Sequence, residues 1–373
     1  MNVPPAHEPA HEPAHRPAHE PPRKRRGNRR GRAVAVIAAA AAGALVLAAC
    51  GSSRGSSGGT GTGSGGLKTG LKVSVIPKNL GNPYFTVADS AQSGGALSAL
   101  KALGETGNET SGTAATAASQ IPALQAAITK GANALIVSAT DPSALCPTLK
   151  SAMGRGITVV TYDSDAPSCR DMFINQASSQ QIGASEVDLL AAQLHGTGQI
   201  AIVSAAASAT NQNTWIGYMK QELKKYPNMH LVPIVYGNDD PTTAKQVTQG
   251  LLEQYPNLKG IISPTTVGIL AAASVLDTPK YRGKVALTGL GTPNSMKQYV
   301  TDGTVQKFEL WKPADLGYLA AYAAVEAASK KITSGGGSFT AGRLGSYSVG
   351  SGSTLLLGPP YVFDKSNISN FNF

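Results

Sequence analysis

From Leu71 onward the chain alternates short apolar runs with longer stretches whose apolar positions recur at helical spacing. The runs "LKVSVIP", "NALIVSA" and "ITVVTYDSD" are apolar at successive positions rather than at every second one. That pattern predicts strands covered on both faces, as in a parallel sheet. Between them the spacing predicts a helix near Phe85 to Ala102, a poorly marked strand near Glu105 to Thr110, and helices through "ASQIPALQAAITKG" and "PSALCPTLKSAMGRG". A second series of runs, "DMFINQ", "QIAIVSA", "LVPIVYG", "GIISP", "KVALTGL" and "VQKFELW", alternates with further helical patterns. After it, "ADLGYLAAYAAVEAASK" reads as one more amphipathic helix and "RLGSYSVGSGSTLLLGP" as a hairpin. Strands alternating with helices predict an α/β chain of two doubly wound, Rossmann-like lobes.

The first seventy residues break this rhythm. Residues 5–20 repeat "PAHE PAHE PAHR PAHE", where a Pro at every fourth position removes backbone donors and predicts a disordered tail. A basic block, "RKRRGNRRGR", precedes seventeen uncharged residues and then Cys50. A cationic flank, a short apolar segment and small residues before the cut predict a secretion signal, too short for a membrane-spanning helix. Its end, "LAAC" from Leu47 to Cys50, resembles a bacterial lipobox, which implies cleavage before Cys50 and a lipid on its sulfur. "GSSRGSSGGTGTGSGG" then reads as a flexible tether holding a globular body off the membrane.

Length and charge agree with an exported two-lobed chain. Of 373 residues, roughly 300 remain after the leader, enough for two sizeable cores. The formal net charge is +10, but residues 1–49 hold eight Lys and Arg against three Asp and Glu, so five positive charges leave with the signal. The remaining excess is too diffuse to argue for nucleic acid. Cys146 and Cys169, with no His or third Cys nearby, suggest a disulfide rather than zinc in an exported chain. No metal or cofactor is expected.

In open α/β sheets ligands sit at the carboxyl ends of strands, where helix N-termini present free N–H groups. The strand exits here carry Lys78, Asn79 and Asn82; Asp163 and Asp165; Asn211, Gln212 and Asn213; Pro264, Thr265 and Thr266; and Asp315. Tyr84, Phe85, Trp215 and Trp311 lie close by in sequence. Amides, carboxylates and one Lys beside flat rings suit a polyhydroxylated ligand: ionised partners strengthen hydrogen bonds to hydroxyls, and a ring covers the C–H face of a sugar. Several of these residues have a plainer role open to them, though Gln212 has none. Asn82 before Pro83 suits a turn, Asp165 suits an Asx turn, Asn211 and Asn213 suit helix caps, and Tyr84 and Phe85 suit the core.

At the segments "VIPKNLGNPYF", "SALCPTLKSAMGRGITVVTYDSD", "NQNTW", "GLGTPNSMKQYV" and "YVFDKSNISNFNF" the chain resembles the type I periplasmic sugar-binding proteins of ABC importers, in the subgroup holding rhamnose-binding proteins and the autoinducer-2 receptor. The resemblance covers about residues 71–373 and implies two lobes joined by three crossovers and closing on a ligand. It puts the crossings near Asp163 to Ala166, Leu310 to Pro313, and Gly337 to Gly350. The implied plan is a tail and lipoprotein signal over 1–49, the lipidated Cys and tether over 50–70, an N-terminal lobe of 71–165 with 312–340, and a C-terminal lobe of 166–311 with 341–373. By resemblance, Lys78 meets a ligand oxygen, Asp163 accepts from vicinal hydroxyls, Gln212 supplies an amide, and Pro264 and Thr266 give backbone and small side chains. Asn82, Tyr84 and Phe85 match the Asn-Pro-aromatic-aromatic loop of ribose-type receptors, and Asp315 falls near their hinge Gln. Asn211 stands where the autoinducer-2 receptor has an Asp, Ser164 replaces an Arg of the ribose type, and Leu290 replaces its ligand-binding Asp. Those departures speak against autoinducer-2, ribose and galactose, while the intact "PKNLGNPYF" loop resembles the rhamnose receptors best, and a deoxy-hexose with an apolar methyl suits the aromatic supply.

Two other classes fit poorly. An enzyme lacks a nucleophile elbow and a zinc constellation here, and only His195 and His230 lie beyond the tail. A sugar-responsive repressor needs an N-terminal helix-turn-helix where this chain has a lipobox and tether. The expected protein is a monomeric, lipid-anchored, extracytoplasmic receptor that hands a monosaccharide to an ABC permease; a sensor feeding a membrane kinase is the alternative partner arrangement.

Overall fold

The computed structural model describes residues 66–373; Cys50, the His-rich repeat, the signal and most of the tether lie outside the described residues. The first half runs β1 (Lys72–Ile76), α1 (Pro83–Asp89), α2 (Ala96–Ala102), β2 (Thr106–Glu109), α3 (Ala117–Thr129), β3 (Ala134–Val137), α4 (Pro142–Gly154), β4 (Thr158–Tyr162) and β5 (Met172–Asn175). It continues with α5 (Ser179–Leu194), β6 (Thr197–Ser204), α6 (Thr210–Glu222), β7 (Asn228–Tyr236), α7 (Pro241–Gln254), β8 (Leu258–Ser263), α8 (Thr266–Leu276), β9 (Ala286–Gly289), α9 (Pro293–Thr301) and β10 (Phe308–Leu310). Last come α10 (Pro313–Ala328), β11 (Ser338–Thr340), β12 (Ser346–Ser348), β13 (Thr354–Leu356) and β14 (Tyr361–Phe363).

Local chemistry explains many of the boundaries. Asp141 accepts from the Ser143 and Ala144 amides ahead of α4, and Asp240 accepts from the Thr243 amide ahead of α7, each followed by a Pro at the first helical position. The continuous helix expected near Phe85 to Ala102 is instead two short ones. Gly94 turns the chain at φ +79°, and Gly95 comes so close to the Ala88 carbonyl that a Cβ there would lie 2.1 Å from its oxygen. Those glycines let α2 double back against α10.

Two parallel sheets carry the lobes. The first has the order β13-β5-β4-β3-β1-β2 and the second β7-β6-β8-β9. Strand β3 is buried along its whole length, as its unbroken apolar run requires. In each sheet the first strand in sequence lies inside, with its successors on opposite sides, so the connections diverge at β1/β3 and at β6/β8. Such divergence leaves a crevice at the carboxyl ends of those strands.

Two of the three expected crossings move. Strand β5 pairs in parallel with β4, Tyr162 opposite Ile174, so the chain stays in the first lobe past Asp163 to Ala166 and leaves it after Asn175. Strand β13 pairs in parallel with β5, Leu356 opposite Asn175, so 341–356 also stays in the first lobe and the chain returns to the second between Leu356 and Tyr361. The reason is pairing: β5 supplies the edge on which β13 adds. The hairpin expected over 343–359 does not form: β12 pairs antiparallel with β11, which lies ahead of that span, β13 adds to the first sheet, and β14 pairs antiparallel with β10. Between these two crossings, β10 pairs with β14, and the helix that follows it, α10, packs against α1, α2 and β4. Cys146 on α4 and Cys169 after β4 lie with their Cα atoms 5.4 Å apart and their sulfurs within bonding distance.

Candidate ligand-binding site

The two crevices face each other and enclose one cavity of about 350 Å³ of atom-free space, part of it open to solvent. Strand β1 ends in Lys78, whose Nζ lies 3.4 Å from Asp163 Oδ2 and donates to Asn211 Oδ1 at 3.3 Å. Asp163 follows β4 in the left-handed region, φ +60°, which turns its carboxylate back into the cavity instead of along the strand. It accepts from Ser138 Oγ at 2.8 Å and from Asn211 Nδ2 at 3.4 Å. A buried ion pair gains little by itself, because desolvation offsets the attraction; it persists where polar neighbours complete its hydrogen bonding. Here those neighbours come from both lobes.

The floor is aromatic. Tyr84 and Phe85 meet edge to face at 5.0 Å between centroids, and Tyr84 OH accepts from Trp311 Nε1 at 2.8 Å. Trp215 packs 6.1 Å from Trp311, and Phe85 6.0 Å from Tyr162. Burial, and after it the Asp163 carboxylate, pushes the Tyr84 hydroxyl above its ordinary range, so it stays protonated. Beneath, Tyr162 OH donates to buried Asp89, whose carboxyl burial also pushes up.

The second lobe brings α6 and α8 in by their N-termini. Neither N-cap residue, Ala209 or Thr265, gives a side-chain bond to its helix, and on α6 the Gln212 amide instead donates to Asn211 Oδ1 at 2.9 Å. Gln212 is buried and its carbonyl oxygen has no partner among the described residues, which leaves an acceptor for a ligand hydroxyl. Pro264 and Thr266 line the same wall.

Twelve of the strand-exit and nearby aromatic residues singled out from sequence surround this cavity: Lys78, Asn82, Tyr84, Phe85, Asp163, Asn211, Gln212, Trp215, Pro264, Thr265, Thr266 and Trp311. Asn82 does two things, since its Oδ1 caps α1 by accepting from the Tyr84 amide at 3.0 Å while the residue lines the cavity. Four do not reach it, among them Asn213, which donates its Nδ2 to the Ala207 carbonyl at 2.8 Å. Asn79 turns toward the Thr113 carbonyl, Asp315 pairs with Arg343, and Asp165 is held by Arg170 through Nε at 2.8 Å and Nη2 at 2.9 Å. Asp239 and Leu310 line the cavity without having been predicted. Asp239 sits at φ +50° in the loop after β7, accepts from Thr265 Oγ1, and has its carboxyl pushed up by burial against the opposing pull of Lys78. Its signal was there in "GNDD": Asp240 caps α7, and the neighbouring Asp has no such duty.

The lobes also touch around the rim. Ser208 Oγ donates to the Thr140 carbonyl at 3.3 Å and Thr210 Oγ1 to the Asp165 carbonyl at 3.3 Å. These bonds are long, so each holds the closed cleft weakly.

The family model described as a periplasmic binding protein domain matches residues 73–332. The chain belongs to the periplasmic binding protein family. Members of this family are ligand-binding receptors and not enzymes. A sugar ABC transporter from Actinomyces odontolyticus is 43% identical, with 81% of this chain and 98% of that one covered and a TM-score of 0.64. An ABC transporter solute-binding protein from Clostridium phytofermentas with bound L-rhamnose is 36% identical, again covering 81% and 98%, at a TM-score of 0.77. The D-ribose/D-allose-binding protein of Pseudomonas aeruginosa is 24% identical over 197 residues, 50% of this chain; the match spans 60% of that relative's own length.

Proposed function

We propose that this protein is the extracytoplasmic receptor of an ABC importer and that its cleft takes one monosaccharide, L-rhamnose. The observation that carries the reading is the Lys78–Asp163 pair facing the unpartnered Gln212 oxygen over an aromatic floor. Ionised groups and an amide grip hydroxyls, and rings cover the apolar face of a pyranose. Leu290, Leu310 and the two Trp give the cavity more apolar wall than a fully hydroxylated hexose needs, which suits a 6-deoxy sugar. The rhamnose-bound relative supports the same choice. Lys78, Asn82, Asp163, Asn211, Gln212 and Thr266 are the proposed polar contacts, and Tyr84, Phe85, Trp215 and Trp311 the apolar ones. The reading extends to a lipid on Cys50, a Cys146–Cys169 disulfide, a monomeric state, and lobe closure that presents the loaded receptor to a permease.

A second reading, autoinducer-2, draws support from Asp239, which restores a second carboxylate to a cavity where Asn211 had removed one. Calorimetric titration with L-rhamnose, autoinducer-2, D-ribose, D-xylose and D-galactose separates them. Rhamnose is expected to bind most tightly. No heat with rhamnose and tight binding of ribose would overturn the assignment.

A further inference from the structure

Behind Asp163 lies a second compartment of about 590 Å³ of atom-free space, part of it open to solvent. It shares Asp163, Asn211 and Trp215 with the first, so those three side chains form a partition with a face to each space. The polar part of the partition is the 3.4 Å contact between Asn211 and Asp163, too long to be a firm closure. Against the far wall lies Gln176, fully buried, with neither its amide nitrogen nor its carbonyl oxygen partnered among the described residues. A primary amide offers two donors and an acceptor, and leaving all of them unmet is costly. Exposed Pro167 and Thr214 line the same compartment, which therefore reaches solvent.

The chemistry of this space differs from that of the first. Asp165 faces it but is already neutralised by the two-pronged Arg170 contact and a hydrogen bond from Thr161, so no free charge awaits an ion. What remains are neutral polar side chains, Gln176 with Asn175, Ser179 and Thr210, beside the Phe173 ring and an open end. We propose that the compartment receives a second hydroxylated ring joined to the sugar in the first cavity, so that the ligand class includes rhamnosyl disaccharides. This rests on the reading of the first cavity as a rhamnose site.

The test is calorimetry on the purified protein with L-rhamnose and with two disaccharides, 6-O- and 2-O-α-L-rhamnosyl-D-glucose. It uses the native chain, Gln176→Leu, and Thr214→Trp, which fills the compartment from an exposed helix position and keeps the test independent of core folding. At least one disaccharide is expected to bind no more weakly than rhamnose. Thr214→Trp should weaken that disaccharide about tenfold or more, and Gln176→Leu about fivefold, with rhamnose affinity unchanged in both. If rhamnose binds and neither disaccharide does, or if neither variant separates the two ligands, the compartment proposal falls and the monosaccharide reading stands. If a disaccharide binds in a variant-sensitive way and rhamnose does not, the compartment stands and the monosaccharide reading falls.

Discussion

Replacing Glu309 by Gln should flatten the dependence of stability on pH. Glu309 sits in the middle of β10, fully buried, one residue before Leu310 of the cavity wall. Ser185 Oγ donates to its Oε1 at 2.5 Å, and Oε2 has no partner among the described residues. Burial raises the carboxyl from 4.5 to about 7, with the Ser185 bond pulling the other way. The folded chain thus keeps this proton up to near neutrality, while the unfolded chain releases it near pH 4.5. A raised acid of this kind leaves the fold at full strength below the unfolded value and weakens it as pH climbs to the folded one. A shift of about 2.5 units at ~1.4 kcal/mol each amounts to roughly 3 kcal/mol lost between about pH 4.5 and 7. Buried Glu186, whose carboxyl burial and then Glu309 push up, acts in the same direction. At roughly 2–4 °C per kcal/mol for a chain of this size class, the native Tm should fall on the order of 5–10 °C from about pH 5 to pH 8. Glu309→Gln keeps the shape and the Ser185 contact and cannot ionise, so its Tm should fall clearly less over the same range. Scanning calorimetry on both proteins at several pH values measures the difference. A native Tm that is flat or rises across that window, or a variant that keeps the whole slope, would refute the reasoning.

Three further perturbations test other parts of the structure. Lys78→Ala should weaken sugar binding by at least ~1.5 kcal/mol, the low end for a lost charged hydrogen bond, and lower Tm by leaving Asp163 buried beside fewer donors; unchanged affinity in a titration removes Lys78 from the site. Gln212→Met should weaken sugar binding while holding or raising the Tm, because it removes a buried acceptor that has no partner among the described residues; a large fall in Tm would mean the side chain is structural. Cys146→Ser should cost ~3 kcal/mol on the chain-entropy account of a loop of this length, read as a Tm drop that reducing agent reproduces in the native chain; a native Tm indifferent to reductant would mean that no disulfide forms.

Much of the fold was legible because burial writes itself locally. A strand covered on both faces must be apolar throughout, so "ALIV" of β3 announces its layer, and an Asp followed by Pro announces the start of α4 or α7. The cavity was legible for a related reason, since a Lys, amides and a carboxylate at the ends of apolar strands have little structural purpose in common. Asp165 and Asp315 misled because nothing in their neighbourhood names their partners. Arg170 lies five residues from the first and Arg343 twenty-eight from the second, and either arginine reads equally well as a solvated charge. Asp239 escaped for the converse reason: adjacent Asp240 supplied a complete local explanation for an acidic pair.

The sequence by itself thus determined the kinds of element, their order, and the chemistry collected at strand exits, since those follow from periodicity and from the needs of each residue's own backbone. Only the tertiary structure decided which sheet β5 and β13 joined, and so where the chain crosses between lobes. It alone decided which carboxylates remain free for a ligand. Both are settled by partners far away in the chain, where a hydrogen bond about 3 Å long selects one pairing among many that composition allows equally.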